Sequence, residues 1–139
     1  MLNINNCEDN HCRNPYYEKK HWSSKINKIK AFANYGLIEY SEHALSQMQA
    51  RGITKEYVEH TLRKYSTSIV QCHGKGTYND NADELVVLCG KVKIDGSKQP
   101  IHIILAEHIT SEGGVHYKVV TAYVPSPVYF HANGKLLKN

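Results

Sequence analysis

The sequence predicts a single α+β domain in which N-terminal helices pack on a twisted antiparallel sheet of four or five strands. Apolar residues recur at helical spacing as far as Tyr65 and alternate with polar ones beyond it, with turn signals between the alternating runs. A chain of 139 residues is also the size of one domain and long enough to bury a core.

Residues 1–15 are polar and asparagine-rich, end in Asn14-Pro15, and form a segment of their own ahead of a domain over 16–124. A first helix is expected over 16–35, because Trp22, Ile26, Ile29 and Ala33 recur at i, i+4, i+7 and i+11 and Gly36 can stop it. Its outer face carries Lys19, Lys20, Lys25, Lys28 and Lys30, a solvated surface that could also grip a phosphate backbone. Ser41 then caps a second helix that runs to Arg51, and Gly52 can take the left-handed position that ends it. Tyr40 and Leu45 have the spacing of a hydrophobic staple, and Ala44, Leu45 and Met48 fall on one apolar arc. His43, Gln47 and Arg51, at i, i+4 and i+8, form a polar line along the edge of that arc. Ile53, Thr54 and Val58 repeat the cap and staple, opening a third helix over about 55–65. There Val58, Leu62 and Tyr65 should face inward, Glu59 and Arg63 should pair, and His60 should lie outside.

After Tyr65 the period becomes two. Ile69–His73 and Thr77–Asn79 read as short strands around Gly74 and Gly76, followed by Leu85–Ile94, Pro100–Ile109 and Val115–Val124. Asn79-Asp80-Asn81, Asp95-Gly96 and Ser111–Gly114 are the turns, so successive strands should form an antiparallel meander. Strict alternation places Val115, Tyr117, Val119, Thr121 and Tyr123 on one face of the last strand. The aliphatic end of the other face suits packing against the helices, which puts Thr121 and Tyr123 on the open side. On the strand before it, His102, Ile104, Ala106 and His108 lie opposite Ile103, Leu105 and Glu107, and Glu107 is either a carboxylate held for a purpose or, the favoured reading, a solvated strand end. Beyond Pro125, residues 125–139 predict a terminal hairpin turning at Asn133-Gly134.

The run Ser41-x-His43-Ala44-x-x-x-Met48-x-x-Arg51-Gly52-Ile53-Thr54-x-x-x-Val58, with Thr121-Ala122-Tyr123 at the close, resembles the bacterial family known as domain of unknown function 4258. That family is similar to the barnase–EndoU–colicin–RelE (BECR) group of metal-independent ribonuclease toxins. The resemblance covers roughly residues 38–124. It implies a BECR-like fold and marks His43, Arg51, Thr121 and Tyr123 as catalytic positions. Cutting RNA without metal needs a base for the ribose 2′-OH, donors for the phosphorane and an acid for the leaving 5′-oxygen. Histidine suits either proton role near neutral pH, arginine matches phosphate bidentately, and hydroxyls can bind its oxygens. Lys19, Lys20, Lys25, Lys28 and Gln47 are the candidate RNA-binding residues. No cofactor is implied, and the expected partners are RNA and a cognate antitoxin or immunity protein.

Composition fits that reading without requiring it. The net charge is +4, with nine histidines and ten tyrosines, moderately basic and compatible with nucleic acid. No apolar run reaches the ~18 residues of a membrane span, and the four cysteines do not frame a disulfide scaffold. The expected site of action is therefore a reducing cytoplasm, reached directly or by delivery from a larger secreted toxin. Cys7, His11, Cys12 and His21 match no standard zinc spacing and read as free thiols and histidines on a solvated tail. There is no G-x-S-x-G elbow, phosphate-binding loop or H-E-x-x-H motif. A non-catalytic RNA- or protein-binding module is the competing reading; a metal-binding regulator is a weaker third.

Overall fold

The computed structural model describes residues 19–73, 84–94 and 96–125. Helix α1 (Lys19–Asn34) is followed by the two-residue strand β1 (Glu39–Tyr40), then α2 (Glu42–Ala50) and α3 (Lys55–Arg63). Four longer strands complete the domain: β2 (Ser68–His73), β3 (Glu84–Ile94), β4 (Ser97–Ile109) and β5 (Val115–Tyr123). The sheet order is β1-β5-β4-β3-β2. The expected meander is present, with β2 to β5 antiparallel in sequence order. Its departure is β1, which pairs parallel with β5 at Glu39–Lys118 and Tyr40–Val119 and makes the sheet mixed. The expected strand over 77–79 and the hairpin over 125–139 lie outside the described residues, Pro125 excepted. Among the described residues, no helix is long and apolar enough to cross a membrane.

Both capped helices follow their sequence signals. Ser41 Oγ accepts from the Ala44 amide at 3.0 Å, and Thr54 Oγ1 accepts from the Tyr57 amide at 3.1 Å. Gly52, at φ +70°, lets the chain leave α2 and enter α3 within four residues. Removing the Ser41 hydroxyl in Ser41→Ala should cost about 1 kcal/mol. A denaturant midpoint that does not move would dismiss the cap. The third helix is shorter than its pattern suggested. It ends at Arg63, so Tyr65 lies in a turn and is 98% exposed rather than inward.

One core joins Ile29 and Ala33 of α1, Ala44 and Met48 of α2, and Val58 and Leu62 of α3 to a single sheet face. That face is built from Val86, Leu88 and Val92 on β3, Ile101, Ile103 and Leu105 on β4, and Tyr117, Val119 and Ala122 on β5. Gly90 belongs to the same alternation and passes so close beneath α3 that a Cβ there would meet Thr61 Cγ2 at 2.6 Å.

Strict alternation fails on β5, and the reason is a β-bulge. Ile104 pairs with Thr121 and Leu105 with Val119, leaving Val120 as an extra residue without a partner on β4. Because the side-chain period is two, one extra residue reverses the faces beyond it. Tyr117 and Val119 therefore point into the core together with Ala122, while Thr121 and Tyr123 point the other way, beside His102. A second bulge on β2, between Ile69 and Gln71, likewise brings Ile69 and Cys72 to the same core face.

Glu107 is not a solvated strand end. It is 7% exposed, accepts from Lys25 Nζ at 2.7 Å and from the Tyr117 hydroxyl at 2.7 Å. Glu84 stands 3.4 Å from the same ammonium. Burial alone would lower Lys25 and raise Glu107. The hydrogen bond and charge between them, with help from Glu84 and Tyr117, outweigh it, so Lys25 ends above its ordinary range and Glu107 below. This cluster fixes α1 to the sheet and accounts for a partly buried lysine.

Candidate active site

Helix α2 lies along the edge of β5 that β1 leaves uncovered. Its start is held by the Ser41 amide on the Val119 carbonyl at 3.2 Å, one residue past the end of β1. From there the polar line of α2 reaches the bulged end of β5. Thr121 Oγ1 donates to Gln47 Oε1 at 2.6 Å. Arg51 Nη1 donates to Thr121 Oγ1 at 3.0 Å and to the Ala122 carbonyl at 2.8 Å. One nitrogen of the guanidinium thus secures an edge carbonyl and a hydroxyl, and its other N–H donors have no acceptor among the described residues. They are the fork that a phosphate would take.

Tyr123 shares the Thr121 face, and its hydroxyl sits 3.3 Å from His102 Nδ1 with the two rings edge to face at 5.4 Å. Burial pushes the Tyr123 phenol upward and the Arg51 charge partly offsets this, leaving it above the ordinary range. It is therefore a neutral hydrogen-bond donor around neutral pH.

Of the four positions marked as catalytic, Arg51 and Thr121 touch and Tyr123 lies two residues farther along the same face. His43 is exposed, one helical turn before Gln47, between the Ser41 contact with Val119 and the Gln47 contact with Thr121. Its imidazole makes no hydrogen bond among the described residues. Gln47 stands in this cluster rather than on a separate binding surface. His102 adds a member that alternation alone did not single out. It is fully buried, and only the cross-strand register places it opposite Tyr123.

The described lysines of α1, Lys25, Lys28 and Lys30, do not join the site. Lys25, expected on the outer RNA-binding face, turns inward to Glu107, five residues along β4 from His102 and on the opposite sheet face. Lys28 is exposed and borders a small cavity of about 230 Å³ beside Glu107. Lys30, on the same helix, donates to the Tyr65 carbonyl at 3.0 Å. The side chains of Lys19, Lys20 and His21 lie outside the described residues, as do Cys7, His11 and Cys12. Among the described residues no group of three or more His, Cys, Asp or Glu is placed to hold a metal ion. Cys72 and Cys89 are buried, and burial pushes the Cys72 thiol up to about 12, which keeps it protonated and unreactive.

The sequence profile described as domain of unknown function (DUF4258) matches residues 40–124, from the residue before the Ser41 cap to the residue after Tyr123. The chain belongs to the DUF4258 family. The match therefore contains α2, α3, the described strands β2 to β5 and all of the clustered polar residues, and leaves out α1. Comparison with curated proteins and with solved structures finds no match.

Proposed function

We propose that this DUF4258 protein is a metal-independent endoribonuclease, acting as a bacterial toxin domain restrained by an antitoxin or immunity protein. The observation that carries the reading is the meeting of Arg51 and Gln47 with Thr121, some 70 residues away in sequence, beside Tyr123 and below His43 on the helix line. A cation, two hydroxyls and an imidazole are what in-line attack of a ribose 2′-OH requires. The 2′-oxygen gives its proton to a base and bonds to phosphorus. The bond to the 5′-oxygen breaks, that oxygen takes a proton, and a 2′,3′-cyclic phosphate remains. Arg51 and the Thr121 and Tyr123 hydroxyls would hold the phosphate oxygens, and His43 would carry one of the two proton transfers. His102 would act on Tyr123 as a positioning residue. The resemblance to BECR ribonucleases supports the same assignment.

One observation favours a second reading. Arg51 Nη1, Thr121 and Gln47 already satisfy one another, as the polar rim of a non-catalytic RNA- or protein-binding module would. A single assay separates the two: purified protein with total RNA in excess chelator. Fragments ending in 2′,3′-cyclic phosphate are the expected result. Intact RNA that stays bound would leave the module and remove the enzyme.

A further inference from the structure

We propose that the groove between α3 and the β3–β4 hairpin is the track that holds single-stranded RNA next to the Arg51 cluster. The inference rests on that cluster being the site that acts on RNA, and it places the strand on α3 and the hairpin instead of α1. The groove has a volume of about 830 Å³. Five cations line it: Lys55, Arg63 and Lys64 from α3 and its end, Lys93 and Lys98 from the hairpin. Only Glu56 and Glu59 oppose them, and Glu59 is already engaged by the Tyr40 hydroxyl and by Arg63 at 3.9 Å. The lining thus carries most of the net charge of the chain.

Three of these lysines stand where local stability argues against them. Lys93 and Lys98 are directly opposed across the hairpin, a like-charge pair that weakens a sheet, and neither has a carboxylate partner among the described residues. Lys55 opens α3, where the helix dipole disfavours a cation, and its ammonium is held over the Tyr40 ring at 4.8 Å. Lys64 Nζ donates to the Lys91 carbonyl at 2.7 Å, a neutral acceptor that fixes the charge without cancelling it. Positive charge maintained at such positions is accounted for by an anion that arrives from outside. Tyr57, half-buried in the same lining, offers a ring for stacking. A cationic groove with an aromatic wall suits single-stranded nucleic acid, whose phosphates pair with the cations while bases stack. The groove is also adjacent to the proposed chemistry. Lys55 follows Arg51 by four residues, which span at most about 14 Å.

The test is binding of a uridine-rich RNA of about 12 nucleotides, a length such grooves can hold, with every ribose 2′-O-methylated so that it cannot be cut. Dissociation constants are measured by fluorescence anisotropy across a salt series. In the Lys93→Gln/Lys98→Gln protein the log–log salt slope should flatten by about 1.4, and in Lys55→Gln by about 0.7, one released counterion share per lost contact. Denaturation midpoints at or above the parental value will establish that both variants fold, since each change relieves a local repulsion. An unaltered slope in both folded variants would overturn the proposal. So would polyglutamate of equal charge binding as tightly as the RNA, which would make the groove a dock for an acidic protein. Flattened slopes with no cleavage of unmodified RNA would keep the groove and remove the ribonuclease reading, so the two fail separately.

Discussion

A His43→Ala protein should fold with parental stability and cleave RNA about 10²–10⁴ times more slowly, the usual contribution of one positioned acid or base. The stability half of that expectation follows from exposure. The imidazole leaves no cavity and breaks no hydrogen bond among the described residues. Arg51→Lys is expected to be at least as damaging to rate but for a different reason. A lysine could keep the charge and reach one of the two acceptors that Arg51 Nη1 now serves. It could not do so while presenting a planar fork to phosphate. Some stability, about 1 kcal/mol, should go with the lost hydrogen bond. Single-turnover cleavage measured beside a denaturation curve separates the two variants. Parental cleavage by a stable His43→Ala protein would take the imidazole out of the mechanism.

Glu107→Gln should be the most destabilising of the substitutions considered, by about 3 kcal/mol. Removing one partner of a buried ion pair typically costs 3–5 kcal/mol, because the other charge is left without compensation. The low end applies here because Glu84 remains 3.4 Å from the ammonium, and the amide that replaces the Glu107 carboxylate can still accept from Tyr117. Adding Lys25→Met to that variant should recover much of the loss, since the orphaned charge is then gone. Equal denaturant midpoints for the single and double variants would show that the pair is not coupled. The same cluster sets a pH dependence. Glu107 is depressed on folding, so its contribution is present above the ordinary carboxylate range, near 4.3, and fades as pH falls through its lowered value. Lys25 is raised, so its contribution is complete below the ordinary lysine range, near 10.4, and fades as pH climbs through its raised value. The cluster therefore stabilises the whole interval between, and a parental acid limb in Glu107→Gln would argue against its part in it.

What could be read from the sequence was what local chemistry decides. Ser41, Thr54 and Gly52 mark the boundaries of α2 and α3 because a cap answers to its own next turn of chain. Turn residues and alternation were enough for β2 to β5 to be expected in their observed order. The inward turn of Lys25 could not be read, since it depends on a carboxylate 82 residues away that alternation placed at a wet strand end. Strand β1 is only two residues long and has no period to detect. Within the candidate site, the residues of α2 were legible as a line along one helix edge. The open-side position of Thr121 and Tyr123 was legible too, but the inward turn of Tyr117 and Val119 was not, because register is a property of two strands and a bulge leaves no mark on one of them.

The bulge at Val120 divides β5 into two reading frames. From Val115 to Val119 the inward positions answer to packing, and a polar substitution there meets the hydrophobic cluster of Phe32 and Leu105. From Thr121 to Tyr123 the frame is inverted, and the hydroxyls answer to Arg51, Gln47 and His102 at the sheet surface. The residues at 121 and 123 can therefore change without renegotiating the interior, which Ala122 still faces, as long as the inserted residue is kept. What the change of frame requires at position 120 is one extra residue and not a particular side chain.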